Sequence, residues 1–222
     1  MKKLFIVANI KSYETETEAK NWLEAFKNIK NSSEDLSSKE IIICPPFTLL
    51  EFFNEFFLKN EINASLGAQD ISPFDEGPYT GEVNAKQIKE FAKYVLIGHS
   101  ERRKNFNETK DVLFKKVNLA LEYGLNPIYI IQDKDEEILQ GVEIIAYEPI
   151  SAIGSGQPDS PEDADQVSSS VKLRNNKYNV LYGGSVNSEN VNRFTQMMNI
   201  NGVLVGGASL DPEEFIKIIK NA

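Results

Sequence analysis

A carboxylate, an imidazole, an ammonium group and several glycine-bearing turns are the groups in this chain whose types and spacing could move a proton on an anionic ligand. The carboxylate is Glu148, which ends the apolar run Ile144-Ile145-Ala146-Tyr147 and is followed by Pro149. Such a run reads as a strand buried on both faces, with Glu148 at its carboxyl end. The next residues, Ile150-Ser151-Ala152-Ile153-Gly154-Ser155-Gly156, suit a loop hinged at both ends whose backbone amides could close on something. Glu148 is then an acid under a lid; a plainer alternative is an ion-paired glutamate in an ordinary turn. The imidazole is His99, the only histidine, so any imidazole chemistry must use it and a two-histidine metal site is excluded. The ammonium is Lys11, two residues after Asn9, and the glycine turns are Gly183-Gly184-Ser185 and Gly206-Gly207.

Positioning these groups falls to apolar runs that alternate with helical patterns along the whole chain. Strands are expected over Leu4 to Ala8, Ile41 to Cys44, Ile62 to Gly67, Tyr94 to Gly98, Pro127 to Ile131, Glu143 to Tyr147, Val180 to Gly183 and Val203 to Gly206. Helical spacing is read over Thr17 to Ile29, Thr48 to Leu58 and Lys110 to Glu122, and Asp211-Pro212-Glu213-Glu214 supplies an N-cap, a first-turn proline and first-turn acids. Eight such units point to parallel pairing through right-handed crossovers and hence to a closed α/β barrel, a single (β/α)8 domain over 1–222. An open doubly wound sheet is the rival, but no Gly-x-Gly-x-x-Gly follows the first strand. In a closed barrel the carboxyl ends of the strands share one rim, which gathers Asn9, Lys11, His99, Glu148 and the two glycine turns. Singly, each has a bland reading: a solvated cation, a structural histidine, simple turns.

Two units depart from regularity. The segment from Gln69 to Glu82 is far longer than the roughly 2 to 6 residues usual for such a connection, and its Ile71, Phe74 and Tyr79 favour docking on a partner. Only Asp133 to Gly141 separates the fifth and sixth strands, so a shortened fifth helix is expected there.

The totals limit the function further. A formal charge of −9 leaves no basic excess for nucleic acid or an acidic membrane surface, so an anionic ligand needs a locally positive site. One cysteine, Cys44, excludes an internal disulfide and a thiolate zinc cage and fits a reducing compartment. Met1-Lys2-Lys3 before an apolar run looks like a signal peptide, but the run ends at Asn9 and Lys11 with no small-residue cleavage pattern; a strand in a cytoplasmic protein is expected. No stretch reaches the ~20 apolar residues of a membrane helix.

Several longer words then coincide in order. Asn9-x-Lys11, Gly67-Ala68-Gln69, Tyr79-Thr80-Gly81-Glu82, Ile97-Gly98-His99-Ser100-Glu101-Arg102-Arg103, Ala146-Tyr147-Glu148-Pro149 with Ala152-Ile153-Gly154-Ser155-Gly156, Tyr182-Gly183-Gly184-Ser185-Val186 and Val205-Gly206-Gly207-Ala208-Ser209-Leu210 together resemble triosephosphate isomerases over essentially the whole chain. The resemblance implies a TIM barrel that interconverts dihydroxyacetone phosphate and glyceraldehyde 3-phosphate in glycolysis and gluconeogenesis, without metal or organic cofactor. It assigns the carbon base to Glu148, the electrophile to His99 and the positive charge to Lys11, with Asn9 holding substrate and Glu101 an acid close to Lys11. A helix beginning after His99 would favour the neutral imidazole, as is established for this family. Phosphate donors carried over are Gly154, Ser185, Gly206 and Gly207. Thr80 and its loop resemble the family's interface loop, which implies an isologous homodimer.

Departures are visible as well. Ser151 stands where the family usually has a tryptophan in the lid hinge, and Ile131 and Asp133 stand where it has a cysteine and a glutamate after the fifth strand. Other readings stay open: an aldolase, an epimerase, or a catalytically lapsed sugar-phosphate-binding barrel. Only Lys11 is available for a Schiff base, and one histidine is few for a metal-dependent epimerase.

Overall fold

The computed structural model describes residues 2–31, 36–149 and 158–222. Strands β1 (Leu4–Asn9), β2 (Lys39–Cys44), β3 (Ser65–Ala68), β4 (Tyr94–Ile97), β5 (Asn126–Ile131), β6 (Ile144–Tyr147), β7 (Asn179–Tyr182) and β8 (Ile200–Val205) run parallel, each beside the next, and β1 pairs with β8 to close a barrel. All eight expected strands are present. β3 starts three residues later than its apolar run and β8 three residues earlier.

The apolar runs are explained by burial on two faces. Alternate residues Phe5 and Val7, Ile42 and Cys44, Tyr94 and Leu96, Ile128 and Ile130, Ile144 and Ala146, with Leu181 and Leu204, form one cluster that fills the barrel. Their neighbours in sequence, among them Ile6, Ala8, Val95, Ile97, Tyr129, Ile131, Ile145, Val203 and Val205, belong to the second cluster, between barrel and helices. β3 contributes Gly67 where others place a side chain, because a Cβ there would stand 2.7 Å from the Cys44 sulfur.

The helices are α1 (Glu16–Phe26), α2 (Leu50–Asn60), α3 (Ala85–Lys89), α4 (Ser100–Asn105), α5 (Lys110–Glu122), α6 (Pro161–Arg174), α7 (Val191–Thr195) and α8 (Pro212–Asn221). α1 starts at a capping box in which Thr15 and Glu18 satisfy each other's backbone N–H. α8 starts as its sequence expects, with Asp211 accepting from Glu213 N and Glu214 N and Pro212 in the first turn. Phe215 of α8 lies against Trp22 and Phe26 of α1, and the Trp22 indole donates to Ser209 O at 3.0 Å. The aromatic seam therefore holds the chain's first and last helices over the β1–β8 junction. Among the described residues no helix is long and apolar enough to cross a membrane.

The fifth connection corrects an expectation. Residues 132–143 contain no helix, not even a shortened one, while the β4–β5 connection holds both α4 and α5. Local polar groups capture the backbone donors that a helix would need: Asp133 accepts from Asp135 N at 2.8 Å, and the Glu136 carboxylate turns back to accept from Gln132 N at 2.6 Å. Ile138 and Leu139 still pack against the core, and Arg174 at the end of α6 donates to Lys134 O and Glu136 O.

Closure of the barrel depends on one missing side chain. Gly202 of β8 pairs with Phe5, beside a register shift between β7 and β8, and has φ +147°. A Cβ at that position would lie 1.9 Å from Phe5 O. Gly202→Ala should destabilise the fold by roughly 3 kcal/mol or more, since the β1–β8 seam must part to admit the methyl group. Thermal unfolding should show a large drop in Tm; a wild-type Tm would contradict this account of closure.

Candidate active site

The twofold alternation of a strand carries the barrel's lining directly to its rim. Continuing the inward series Phe5, Val7 leads to Asn9; Ile144, Ala146 leads to Glu148; Leu181 leads to Gly183; Leu204 leads to Gly206. β4 is the exception. Its inward series reaches Gly98, whose φ of +84° turns the chain so that the next residue, His99, reaches the rim. A cavity of about 430 Å³ opens there, lined by Asn9, Lys11, His99, Glu148, Ser185 and the glycines 183, 184, 206 and 207. Another cavity of about 340 Å³, near the amino end of β3 and lined by residues such as Ser65, Leu66 and Lys93, gathers no comparable set of proton carriers.

His99 and Glu148 face each other inside this cavity. His99 Nε2 lies 3.3 Å from Glu148 Oε1, and both side chains are more than nine-tenths buried. The tautomer follows from the other ring nitrogen. His99 is the N-cap of α4, and Nδ1 accepts from Glu101 N at 3.2 Å, so the proton of a neutral ring sits on Nε2, the nitrogen nearer the carboxylate. The second oxygen of Glu148 accepts from Ser100 N at 3.3 Å, and its own N–H donates to Ile131 O at 2.9 Å. Space for Glu148 is made by Gly183, where a Cβ would approach its Cγ to 2.9 Å.

Lys11 is fixed by its backbone as much as by its charge. It has a left-handed φ of +57°, donates its N–H to Asn9 Oδ1 at 3.1 Å, and its carbonyl accepts from the Gln69 amide, which also donates to Cys44 O. Gln69 thus ties the ends of β1, β2 and β3 together. The Lys11 ammonium meets Glu101 Oε1 at 2.5 Å, with the lysine side chain 25% exposed, so it keeps a face toward the cavity. Ser185 is also left-handed, with φ +49°, and its carbonyl accepts from the Asn190 amide at 3.1 Å. After β8 the chain enters a 3-10 turn, Gly207–Leu210, in which both Ser209 N and Ser209 Oγ donate to Gly206 O.

The sequence-derived set Asn9, Lys11, His99, Glu148, Ser185, Gly206 and Gly207 therefore lines one cavity, with Glu101 against Lys11. Gly154 and Ser151 lie outside the described residues. Thr80 is exposed on the long loop after β3 and does not line this cavity. Sequence reading missed the spacing role of Gly183 and the lining residues Asn187 and Leu204.

A family model described as triosephosphate isomerase matches residues 4–222. The chain belongs to the triosephosphate isomerase family. Among curated relatives, the triosephosphate isomerase of Dictyoglomus turgidum is 38% identical, with all of each chain covered. That of Aquifex aeolicus is 38% identical over 96% of this chain and 97% of its own, and that of Mycoplasmopsis pulmonis 36% over 99% and 98%. The Dictyoglomus alignment runs to 254 positions against 222 residues here, so this family member lacks stretches that its relative carries.

Three residues beyond Lys11, Glu14 has a buried carboxylate oxygen, Oε2, without a hydrogen-bond partner. Burial, and then the charge of Glu18, push its carboxyl up to about 7. A raised carboxyl favours the protonated folded state, so this stability is complete below the unfolded value of about 4.5 and is lost as pH rises through about 7. Glu14→Gln should therefore raise Tm at pH 8 relative to the parent chain, with the gain fading toward pH 5. A gain of equal size at both pH values would show that the carboxyl's charge is not responsible.

Proposed function

We propose that the rim cavity interconverts dihydroxyacetone phosphate and glyceraldehyde 3-phosphate by carrying one proton between adjacent carbons through an enediolate. The observation that carries this reading is the His99–Glu148 pair: a carboxylate oxygen and an imidazole nitrogen 3.3 Å apart, buried, and facing the same void as a lysine. Glu148 takes the proton from one carbon and returns it to the neighbour, for which a carboxylate is suited because its conjugate acid remains in place. His99 donates from Nε2 to the substrate oxygen and moves protons between the two oxygens. A neutral donor matches the enediolate better than an imidazolium would, as is established for this family. Lys11 opposes the charge that develops on oxygen, Glu101 orients it, and Asn9 shapes the loop that presents it. The backbone around Ser185, Gly206 and Gly207 receives the phosphate, with Gly154 as the lid's donor; amides hold a dianion without offering a competing base. All these steps use side chains and amides of the chain itself.

The same reading includes a homodimer. Tyr13, Phe47, Phe74, Tyr79 and Phe106 are large and exposed, and Phe74 stacks on Tyr79 at 4.3 Å. Large apolar residues at the surface, two of them on an ordered loop, fit the covered face of a second copy, with Thr80 beside the partner site. The loop is ordered by its own bonds: Ser72 N to Val83 O, Glu82 N to Tyr79 O, and the Tyr123 hydroxyl to Asp75. The whole chain acts as one catalytic unit in a cytoplasmic enzyme.

A coupled assay on purified protein tests the chemistry. Glu148→Asp should keep the fold and lose roughly 100-fold in kcat, because one methylene withdraws the base by about an ångström. Equal turnover in the two proteins would refute the base assignment, and absence of turnover in the parent protein would favour a lapsed binding protein. Tyr79→Asp should shift the molecular mass in solution from two chains to one, measured by light scattering. A dimer unchanged by that charge would place the interface elsewhere.

A further inference from the structure

The helix-free fifth connection does more than join two strands. Its Glu136 accepts from Gln132 N through one oxygen and pairs with Arg103 through the other, Nη1 to Oε2 at 2.9 Å. Arg103 lies on α4, the helix that His99 caps. The remaining arms of its guanidinium reach two strand ends: Nε donates to Gly98 O at 2.7 Å, and Nη2 to Ile130 O at 2.6 Å. Gly98 immediately precedes His99. Ile130 precedes Ile131, whose carbonyl takes the N–H of Glu148. One planar fork thus spans the backbone that sets the imidazole and the backbone that sets the carboxylate.

We propose that Arg103 and Glu136 form a positioning pair that fixes the separation of His99 and Glu148. Neither side chain lines the cavity, and the one bond from Arg103 to a lining residue is its backbone N–H to His99 O, so neither is a catalytic residue. Three features favour positioning over a generic surface ion pair. Both side chains are mostly buried, at 21% and 23% exposure, whereas Lys110–Glu137 in the same region is about 60% exposed on each side. Each partner is also committed to backbone groups, which gives the pair one geometry rather than many. The space is matched as well: a Cβ on Gly98 would stand 3.1 Å from the Arg103 guanidinium and 3.2 Å from Ile130 O. Asp133, the acid expected to stand after the fifth strand, instead turns onto Asp135 N, and Glu136 supplies the carboxylate from three residues farther on. Its main-chain carbonyl is held in turn by Arg174 at the end of α6.

The proposal rests on the isomerase reading of the site. Substrate is held mainly from the β1, β7 and β8 side, so loosening the β4–β5–β6 side should lower kcat and spare KM. Glu136→Ala should reduce kcat at least roughly tenfold with KM within about twofold. Arg103→Lys should behave alike, since one ammonium cannot span three acceptors. The double variant should cost no more than the worse single one, as expected for two halves of one device. Glu137→Ala should match the parent. Steady-state kinetics well below each variant's Tm read these outcomes. If Glu136→Ala does not fold, Glu136→Gln, which keeps an acceptor for Gln132 N, carries the same test. Retained kcat with only a lower Tm, or kcat and KM worsening together, would overturn the proposal. An inactive parent enzyme would instead sink the isomerase reading.

Discussion

A carboxylate oxygen held 3.3 Å from an imidazole nitrogen, both groups buried, is the constraint on which the architecture turns. Left to themselves in water, two such side chains gain little from each other and lose conformational freedom by meeting. Here the contact persists because backbone groups have done the ordering beforehand. Glu101 N occupies one ring nitrogen of His99, Ser100 N meets the far oxygen of Glu148, and Glu148 N is tied to β5. Backbone donors suit this task, since they carry no net charge and do not titrate, so they orient the pair without competing for its proton.

That ordering is inherited from barrel closure. A strand's period of two means that whatever fills the lumen also decides which residue stands next at the rim, so packing of Val7, Ala146, Leu181 and Leu204 and presentation of Asn9, Glu148, Gly183 and Gly206 are one event. Closure in turn depends on Gly202 lying against Phe5 and on the aromatic contacts of α1 with α8. Core and site therefore share the same register, and an error at the β1–β8 seam would reach Lys11 within a few residues.

Charge is distributed with similar economy. The chain carries a formal −9, yet the rim cavity is lined by Lys11 and the glycine-rich backbone of the β7 and β8 turns. Glu101 against the Lys11 ammonium costs part of that positive field and in exchange restricts a flexible side chain to one place. Elsewhere, Lys116 is buried between Asp70 and Glu108, with Arg102 on the same two acids, so the root of the long loop after β3 is fixed by neutralised charge while its apolar tip stays exposed.

Much of this was written locally in the chain. Eight apolar runs, the N-cap of α8 and the placement of Asn9 at the end of β1 and of Lys11, His99 and Glu148 beyond their strands could all be read because burial on two faces leaves continuous hydrophobic runs that stop near the rim. The order of motifs added the family. Other features were decided only when strands met across the barrel. The fifth connection has no helix because Asp133 and Glu136 fold back on their own backbone, a competition that composition does not settle. Which ring nitrogen of His99 carries the proton, why position 183 must lack a side chain, and why the acid that meets Arg103 is Glu136 rather than Asp133 depend on distances between residues far apart in sequence. Local pattern determines what each segment becomes, but distances between segments exist only once the ring of strands has closed.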